Sequence, residues 1–223
     1  MVRTVFRCAV FLCFSAWSHS YAQSVLNTGQ WSKFSVANDG VFKIDYALLR
    51  NAGFNPDQID PRKIKLFTGF NGMLPQANSA ARPVDLMEVA LYFSGETDGK
   101  FNQEDYILFY GKGPDTYSYN PAKAIFAYEN NIYADKNFYF LTVSSSNGKR
   151  MSTVGDLGTG FPVVDEFDDL AFYEKDLYNE LKSGREWVGE QFDNTTELPY
   201  GFTMAGIVDN STIKVVSNVM AQS

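Results

Sequence analysis

The chain has 223 residues, of which 45% are hydrophobic and 16% aromatic, and it carries 19 basic against 26 acidic side chains. This length is enough to bury a substantial hydrophobic core in one large domain or two small ones. The 19 Phe and 13 Tyr residues exclude an intrinsically disordered chain, because that much apolar surface does not stay solvated. The formal net charge of −7 argues against a nucleic-acid partner, since phosphate binding requires a basic surface.

The first 22 residues have the pattern of a secretory signal peptide. A short basic start precedes an apolar run at residues 8–17, and the small residues Ser20 and Ala22 fit a cleavage site at the end of the segment. A membrane-spanning helix needs about 20 apolar residues, roughly twice the length of this run. We therefore expect the chain to be exported and residues 1–22 to be removed.

Removal of this segment would leave a chain without cysteine or histidine, because Cys8, Cys13 and His19 are the sequence's cysteines and its histidine. The mature chain would then have no disulfide, although its compartment would allow one. It would also have no Cys or His nucleophile–base pair and no zinc site of the Cys/His kind. We therefore expect no catalytic residue in the exported chain.

The hydrophobic periodicity of the following residues is mostly that of β-strands. Apolar and polar residues alternate at 34–36 and again at 42–46, on either side of the turn sequence Asn38-Asp39-Gly40. This pattern predicts a β-hairpin. Residues 47–52 predict a short helix that ends at Gly53, since glycine commonly follows the last helical residue.

Later segments extend the β pattern. Further strands are predicted at residues 63–68, 87–93, 106–110 and 138–143, each bounded by turn-forming residues. With one convincing helix, the predicted fold class is mainly β. The predicted architecture is a sandwich-like N-terminal domain with one short helix, followed by the start of a second β domain.

The predicted domain boundary lies in the glycine-rich stretch Gly155-Asp-Leu-Gly-Thr-Gly160. Residues 23–155 would form the N-terminal β domain, and residues 156–223 a linker and an incomplete second β domain. Residues 199–202 and 212–217 predict the opening strands of a new sheet. Because the sequence stops just after a strand-like run, which would leave an unpaired edge, we expect a fragment that ends inside its second domain.

Residues 94–105 partly match the spacing of an EF-hand calcium loop. With Gly99 at the turn position, the candidate ligands are Ser94, Glu96, Asp98, the backbone carbonyl of Lys100, Asn102 and Asp105. Residues 98–105 are similar to the second half of a dockerin loop. However, Ser94 is not a carboxylate, and the flanks predict strands where an EF-hand has helices. The alternative, a polar connection within a β-hairpin, is favoured over Ca²⁺ binding, and no other cofactor is expected.

Aromatic residues crowd an otherwise polar stretch between residues 117 and 139. Such rings serve either a sugar- or protein-binding face or the core and cover of a sandwich. They leave open an alternative function, a stand-alone adhesion or glycan-binding module at the cell surface. A hydrolase acting through acids is disfavoured, because the adjacent Asp168 and Asp169 would point to opposite faces of a strand.

Six segments occur in an order that resembles a known family. They are Gly40-Val-Phe-Lys-Ile-Asp-Tyr46, Ile64-Lys-Leu-Phe67 with Asn71-Gly-Met-Leu-Pro75, Gly95-Glu-Thr-Asp-Gly-Lys-Phe101, residues 105–115, residues 131–142 and Gly184-Arg-Glu-Trp-Val-Gly-Glu190. Together they resemble the N-terminal region of the PorU family, the sortases of the type IX secretion system. The resemblance covers the chain from about residue 30 onward.

This resemblance implies a parent protein with a C-terminal, gingipain-like cysteine peptidase domain. Its Cys–His pair would remove the C-terminal sorting signals of secreted cargo and support cargo attachment to the cell surface. The implied location is the outer membrane or cell surface of a Gram-negative bacterium. The implied partners are outer-membrane secretion-system proteins, the peptidase domain itself and, through the parent, secreted cargo. No catalytic residue of that family can be placed on this sequence.

Overall fold

The computed structural model describes residues 23–156, 158–182, 184 and 186–221. The predicted signal peptide, with Cys8, Cys13 and His19, lies outside these described residues. Within them the chain forms one short helix, α1 (Tyr46–Asn51), a few 3₁₀ turns and nine strands. The strands are β1 (Trp31–Val36), β2 (Gly40–Asp45), β3 (Ile64–Thr68), β4 (Met87–Val89), β5 (Tyr92–Ser94), β6 (Tyr106–Gly111), β7 (Thr116–Asn120), β8 (Ile125–Glu129) and β9 (Asn137–Val143). The predicted mainly β class with one short helix is confirmed.

The strands form three antiparallel sheets. The first has four strands in the order β1-β9-β3-β4, the second has three in the order β2-β6-β5, and the third is the β7-β8 pair. Side chains of the two larger sheets share one hydrophobic core, as the sheets of a β-sandwich do. Phe109 of β6 meets Tyr139 of β9 in this core, with ring centroids 5.2 Å apart.

Local sequence determines the helix. The Asp45 side chain accepts a hydrogen bond from the Leu48 N–H at 2.9 Å, which satisfies one of the free donors of the first turn. Gly53 follows the helix with a φ of 89°, a conformation that glycine adopts without strain. Leu49 is completely buried. The helix predicted at residues 47–52 is therefore confirmed to within one residue at each end.

The predicted hairpin around Asn38-Asp39-Gly40 is wrong. β1 pairs with β9 and β2 pairs with β6, so this turn joins two different sheets. Asp39 stabilises the crossing, because its Oδ1 accepts a hydrogen bond from the Gly113 N–H at 2.8 Å. Alternating hydrophobicity fixes which face of a strand is buried, but it does not fix which strand lies beside it.

The prediction of a single strand at residues 87–93 is also wrong, because two short strands occupy this region. It is divided between the two larger sheets, since β4 pairs with β3 whereas β5 pairs with β6. Leu91 lies in the crossing between them and is only 1% exposed. Its N–H donates to the Lys149 carbonyl at 3.1 Å, and its carbonyl accepts from the Met151 N–H at 2.9 Å. The chain can therefore change sheets without leaving this buried backbone unpaired.

The strands predicted at residues 199–202 and 212–217 are not formed. The described residues beyond 150 contain an isolated bridge between Tyr178 and Val188 but no named strand. A β-strand needs a neighbour to accept and donate its backbone hydrogen bonds, and no described segment pairs with residues 212–217. The predicted boundary at residue 155 stays a prediction. No helix in the described part of the chain has the length and hydrophobicity to cross a membrane.

Candidate functional site

The calcium-like pattern lies in a loop that closes a β-hairpin. Residues 95–105 connect β5 to β6, and Ser94 is the last residue of β5, opposite Tyr106. Gly95 and Gly99, with φ values of 97° and 76°, flank the 3₁₀ turn Glu96–Asp98. Glycine is favoured at both positions because other residues rarely adopt this conformation. The arrangement is the hairpin connection that the sequence favoured over an EF-hand.

Two carboxylates hold this loop in shape. Asp98 Oδ1 accepts a hydrogen bond from the Lys100 N–H, and its Oδ2 accepts one from the Asn102 side-chain amide, both at 3.0 Å. These two donors lower the pKa of Asp98, because they stabilise the charged carboxylate. Asp105 Oδ2 accepts a hydrogen bond from the Asn102 N–H at 2.7 Å. Both acids therefore bind donors of the loop itself.

The side chain of the third candidate acid, Glu96, pairs with Arg150, which lies outside the loop. Its Oε2 lies 2.9 Å from Arg150 Nε, and both side chains are about a quarter exposed. Arg150 Nη2 also donates to the Pro61 carbonyl at 3.0 Å, and its guanidinium lies 4.1 Å from the centre of the Phe93 ring. Arg150 thus ties the loop to β5 and to the segment before β3.

The structure brings some of the candidate calcium ligands together and separates others. Asp98, Asn102 and Asp105 form one hydrogen-bonded group, whereas Glu96 is paired with Arg150. Among the residues described, no group of three or more His, Cys, Asp or Glu side chains is arranged to hold a metal ion. Calcium binding by the loop stays a prediction.

The β7-β8 hairpin was not predicted from the sequence. One of its faces is aromatic and is formed by Tyr117, Tyr119, Phe126 and Tyr128. Tyr117 lies opposite Tyr128, and Tyr119 lies opposite Phe126, so the four rings share one side of the hairpin. The ring centroids are 5.2 Å and 5.1 Å apart, and the planes in each pair are tilted by 53°. The sequence does contain a signal for this hairpin, because aromatic residues alternate with other residues on both sides of the turn sequence Asn120-Pro-Ala.

One end of the aromatic face is covered by the chain itself. The Phe172 ring stacks on Tyr128, with centroids 3.5 Å apart and planes inclined by 17°. The Tyr128 hydroxyl donates to Asp115 Oδ2 at 2.8 Å. Beside it, the Asn130 side-chain amide donates to Asp176 Oδ2 at 2.8 Å. A segment around residue 172 without regular secondary structure therefore lies against this end of the hairpin.

The covered end is acidic. The pKa of Glu174 is raised, mainly because its carboxyl group is partly buried away from water. Repulsion from the carboxylates of Asp176 and Asp115 raises it further. Burial, and then the hydrogen bond to Asp115, raises the pKa of the Tyr128 hydroxyl. Tyr128 therefore stays protonated at physiological pH and serves as a donor. Asp168 and Asp169 lie in exposed coil, where Asp169 accepts a hydrogen bond from the Leu170 N–H.

Part of the chain is similar to a protein of known structure. No protein-family model matches the chain, and a search of curated proteins found no match. The solved structure is described as dimeric latent PorU from Porphyromonas gingivalis. The match covers 61% of the present chain, with 30% sequence identity and a TM-score of 0.47. The chain covers 11% of that protein. Part of this sequence is therefore similar to a small part of a PorU protein.

Proposed function

We propose that the chain is a non-catalytic N-terminal portion of an exported type IX secretion sortase. The parent protein would be a cysteine peptidase that removes C-terminal sorting signals from secreted cargo and supports attachment of the cargo to the cell surface. The observation that carries the proposal is the ordered set of segments that resembles the N-terminal region of this family.

The placement of those segments in the fold supports the proposal. Residues 40–46 contain β2, and residues 105–115 contain its partner β6. Residues 64–67 lie in β3, and residues 131–142 contain most of its partner β9. The segment at residues 95–101 includes the turn with its two αL glycines. The resembling segments thus coincide with two strand pairs and one constrained turn, which are features that a shared fold would require.

The proposed role follows from what the mature chain would lack. Without cysteine or histidine, residues 23–223 cannot supply a Cys–His pair, so bond cleavage would belong to the peptidase domain of the parent. This portion would act through contact, by positioning or shielding that domain or by docking to outer-membrane secretion-system proteins. The proposed location is the outer membrane or cell surface of a Gram-negative bacterium.

Two measurements test the proposal. Sequencing the locus beyond codon 223 should show an open reading frame that continues into a gingipain-like domain with a Cys–His pair. The product of that frame should cleave the C-terminal signal from a cargo protein, whereas the present chain should not. A frame without a peptidase domain, or cleavage by the present chain alone, would contradict the proposal. The alternative function, a stand-alone adhesion or glycan-binding module at the cell surface, stays a prediction.

A further inference from the structure

We propose that Gln23 becomes the first residue of the exported chain and that its side chain then closes on its own α-amino group, giving an N-terminal pyroglutamate. The inference rests on the proposed export of the chain and goes beyond it. It follows from three features of the N-terminal segment: the residue type at the predicted cleavage site, the exposure of Gln23, and the anchoring of the residues that follow it.

Glutamine at a free N-terminus can react within itself. The α-amino nitrogen attacks the side-chain carboxamide carbon, the bond from that carbon to the amide nitrogen breaks, and ammonia leaves with the proton that the amine gives up. The product is a lactam, and the step needs no oxidant, reductant or second substrate. Ring closure also removes the positive charge of the terminus. Signal-peptide cleavage after Ala22 would place Gln23 at this position.

Gln23 is accessible for this reaction. It is exposed and has no regular secondary structure. The next residue, Ser24, is the N-cap of the 3₁₀ turn Val25–Asn27, so Gln23 lies just outside the first turn. The side chain of an exposed terminal residue keeps its rotational freedom, and ring closure requires this freedom.

The chain is anchored from Ser24 onward by the carboxylate of Asp85. Asp85 Oδ1 accepts a hydrogen bond from the Ser24 hydroxyl at 3.0 Å, and Oδ2 accepts one from the Val25 N–H at 2.6 Å. The Ser24 hydroxyl in turn accepts from the Leu26 N–H at 3.3 Å. The anchored segment therefore begins directly after Gln23.

The other end of this segment is fixed to the first sheet. The Trp31 indole N–H donates to the Thr28 carbonyl at 2.8 Å, and the Thr142 hydroxyl donates to the Gln30 carbonyl at 2.7 Å. Thr142 belongs to β9 and is only 5% exposed. Residues 24–30 are thus held at both ends, and the mature chain would have a single residue ahead of them.

The Asp85 anchor uses neutral donors and does not need the α-amino group. Besides the Ser24 hydroxyl and the Val25 N–H, the carboxylate accepts from the Leu86 N–H at 2.8 Å. Loss of the terminal positive charge therefore leaves these hydrogen bonds in place. Aminopeptidases act on a free α-amino group, so the lactam would protect Ser24 from removal and keep the anchor intact.

Mass spectrometry of the chain purified from an exporting Gram-negative cell tests the inference. Amine labelling before digestion separates the two forms, because only the open form has an α-amino group. We expect a chain that starts at residue 23, resists labelling at its terminus and is lighter by one ammonia than the open form. An open Gln23 would overturn the cyclisation and leave export intact, as would cleavage at another residue. A chain that keeps residues 1–22 would overturn both this inference and the proposed export.

Gln23→Asn is the matched control, because its side chain is one methylene shorter and cannot close an unstrained ring. After treatment with a broad-specificity aminopeptidase, the wild-type chain should keep its mass, whereas Gln23→Asn should lose its first residue. The double variant Gln23→Asn/Asp85→Ala should be shortened further, because Ser24 is no longer held. Equal shortening of the wild type and Gln23→Asn would overturn the inference.

Discussion

Tyr139 and Lys112 are joined by two hydrogen bonds at a corner of the sandwich. The Lys112 N–H donates to the Tyr139 hydroxyl at 2.7 Å, and that hydroxyl lies 3.3 Å from the Lys112 carbonyl, to which it donates. Tyr139 is only 2% exposed, and burial raises its pKa. Because Tyr139 belongs to β9 and Lys112 follows β6, this pair links the two larger sheets.

Removing the Tyr139 hydroxyl should weaken this link. In Tyr139→Phe the ring can still pack on Phe109, but the Lys112 N–H loses its acceptor. The net contribution of an ordinary hydrogen bond is about 0.5–1.5 kcal/mol, so the free energy of unfolding, measured in urea, should fall by that amount. Tyr110→Phe is the control, since Tyr110 is 49% exposed and its hydroxyl lies 3.4 Å from Asp39. Equal losses of unfolding free energy in the two variants would show that the hydrogen bonds between Tyr139 and Lys112 do not stabilise the fold more than the Tyr110 contact does.

The conformation of the calcium-like loop should depend on Gly95, at its start. Gly95 has a φ of 97°, and a Cβ at this position would lie 1.7 Å from Asp105 Oδ1. Gly95→Ala therefore combines backbone strain with a steric clash, and we expect a loss of about 2–4 kcal/mol in chemical denaturation. Gly155→Ala, where nothing lies within 4 Å of the new Cβ, should change stability by less than about 0.5 kcal/mol. A wild-type midpoint for Gly95→Ala would contradict the described turn.

Local signals predicted individual elements well. The helix was predictable because its cap, Asp45, and its terminating Gly53 are adjacent to it in sequence. Strands β3, β6 and β9 were also placed to within one residue at each end, because their hydrophobic runs are bounded by turn residues. The partners of the strands were not predictable in this way. The turn at residues 38–40 looks like a hairpin, yet hydrogen bonding from Gly113 to Asp39, 74 positions apart, supports a crossing between sheets.

The candidate sites illustrate the same limit. Spacing identified Gly99 as a turn residue, and it has a positive φ. The orientation of Glu96, however, depends on Arg150, which lies 54 positions away. The aromatic residues of β7 and β8 were noticed, but their shared face follows from the register of the two strands. Stacking of Phe172 on Tyr128 brings in a segment that no local pattern connects with the hairpin.

Replacing Asp98 distinguishes a metal loop from a hydrogen-bonded turn. Asp98 accepts from Lys100 and Asn102, so Asp98→Ala should lower the Tm by a similar amount in calcium and in chelator. The calcium hypothesis instead requires that the variant lowers the Tm only in calcium. Scanning calorimetry of both proteins in each buffer measures the difference. Asp135→Ala, at an exposed position outside the loop, controls for general loss of a surface carboxylate. A calcium-dependent rise in the wild-type Tm that Asp98→Ala removes would establish the metal site.

Glu174 should destabilise the chain when it is ionised. Its folded-state pKa is raised by partial burial and by the carboxylates of Asp176 and Asp115, so the folded state binds this proton more tightly than the unfolded state. The cost of ionisation is present above the folded-state pKa and disappears as the pH falls toward the unfolded value of about 4.3. Glu174→Gln should therefore raise the Tm at pH 8, and the gain should shrink near pH 4.

Asp85 supplies the opposite control for that experiment. The N–H groups of Leu86 and Val25 lower its pKa, so its ionised form stabilises the folded state above the unfolded pKa of about 3.9. Asp85→Asn should lower the Tm at pH 8, and the loss should vanish as the pH falls through the depressed folded-state pKa. Because the two variants remove the same unit of charge, a shift of the same sign in both would mean that net charge, rather than the neighbours of each carboxyl, determines the pH dependence.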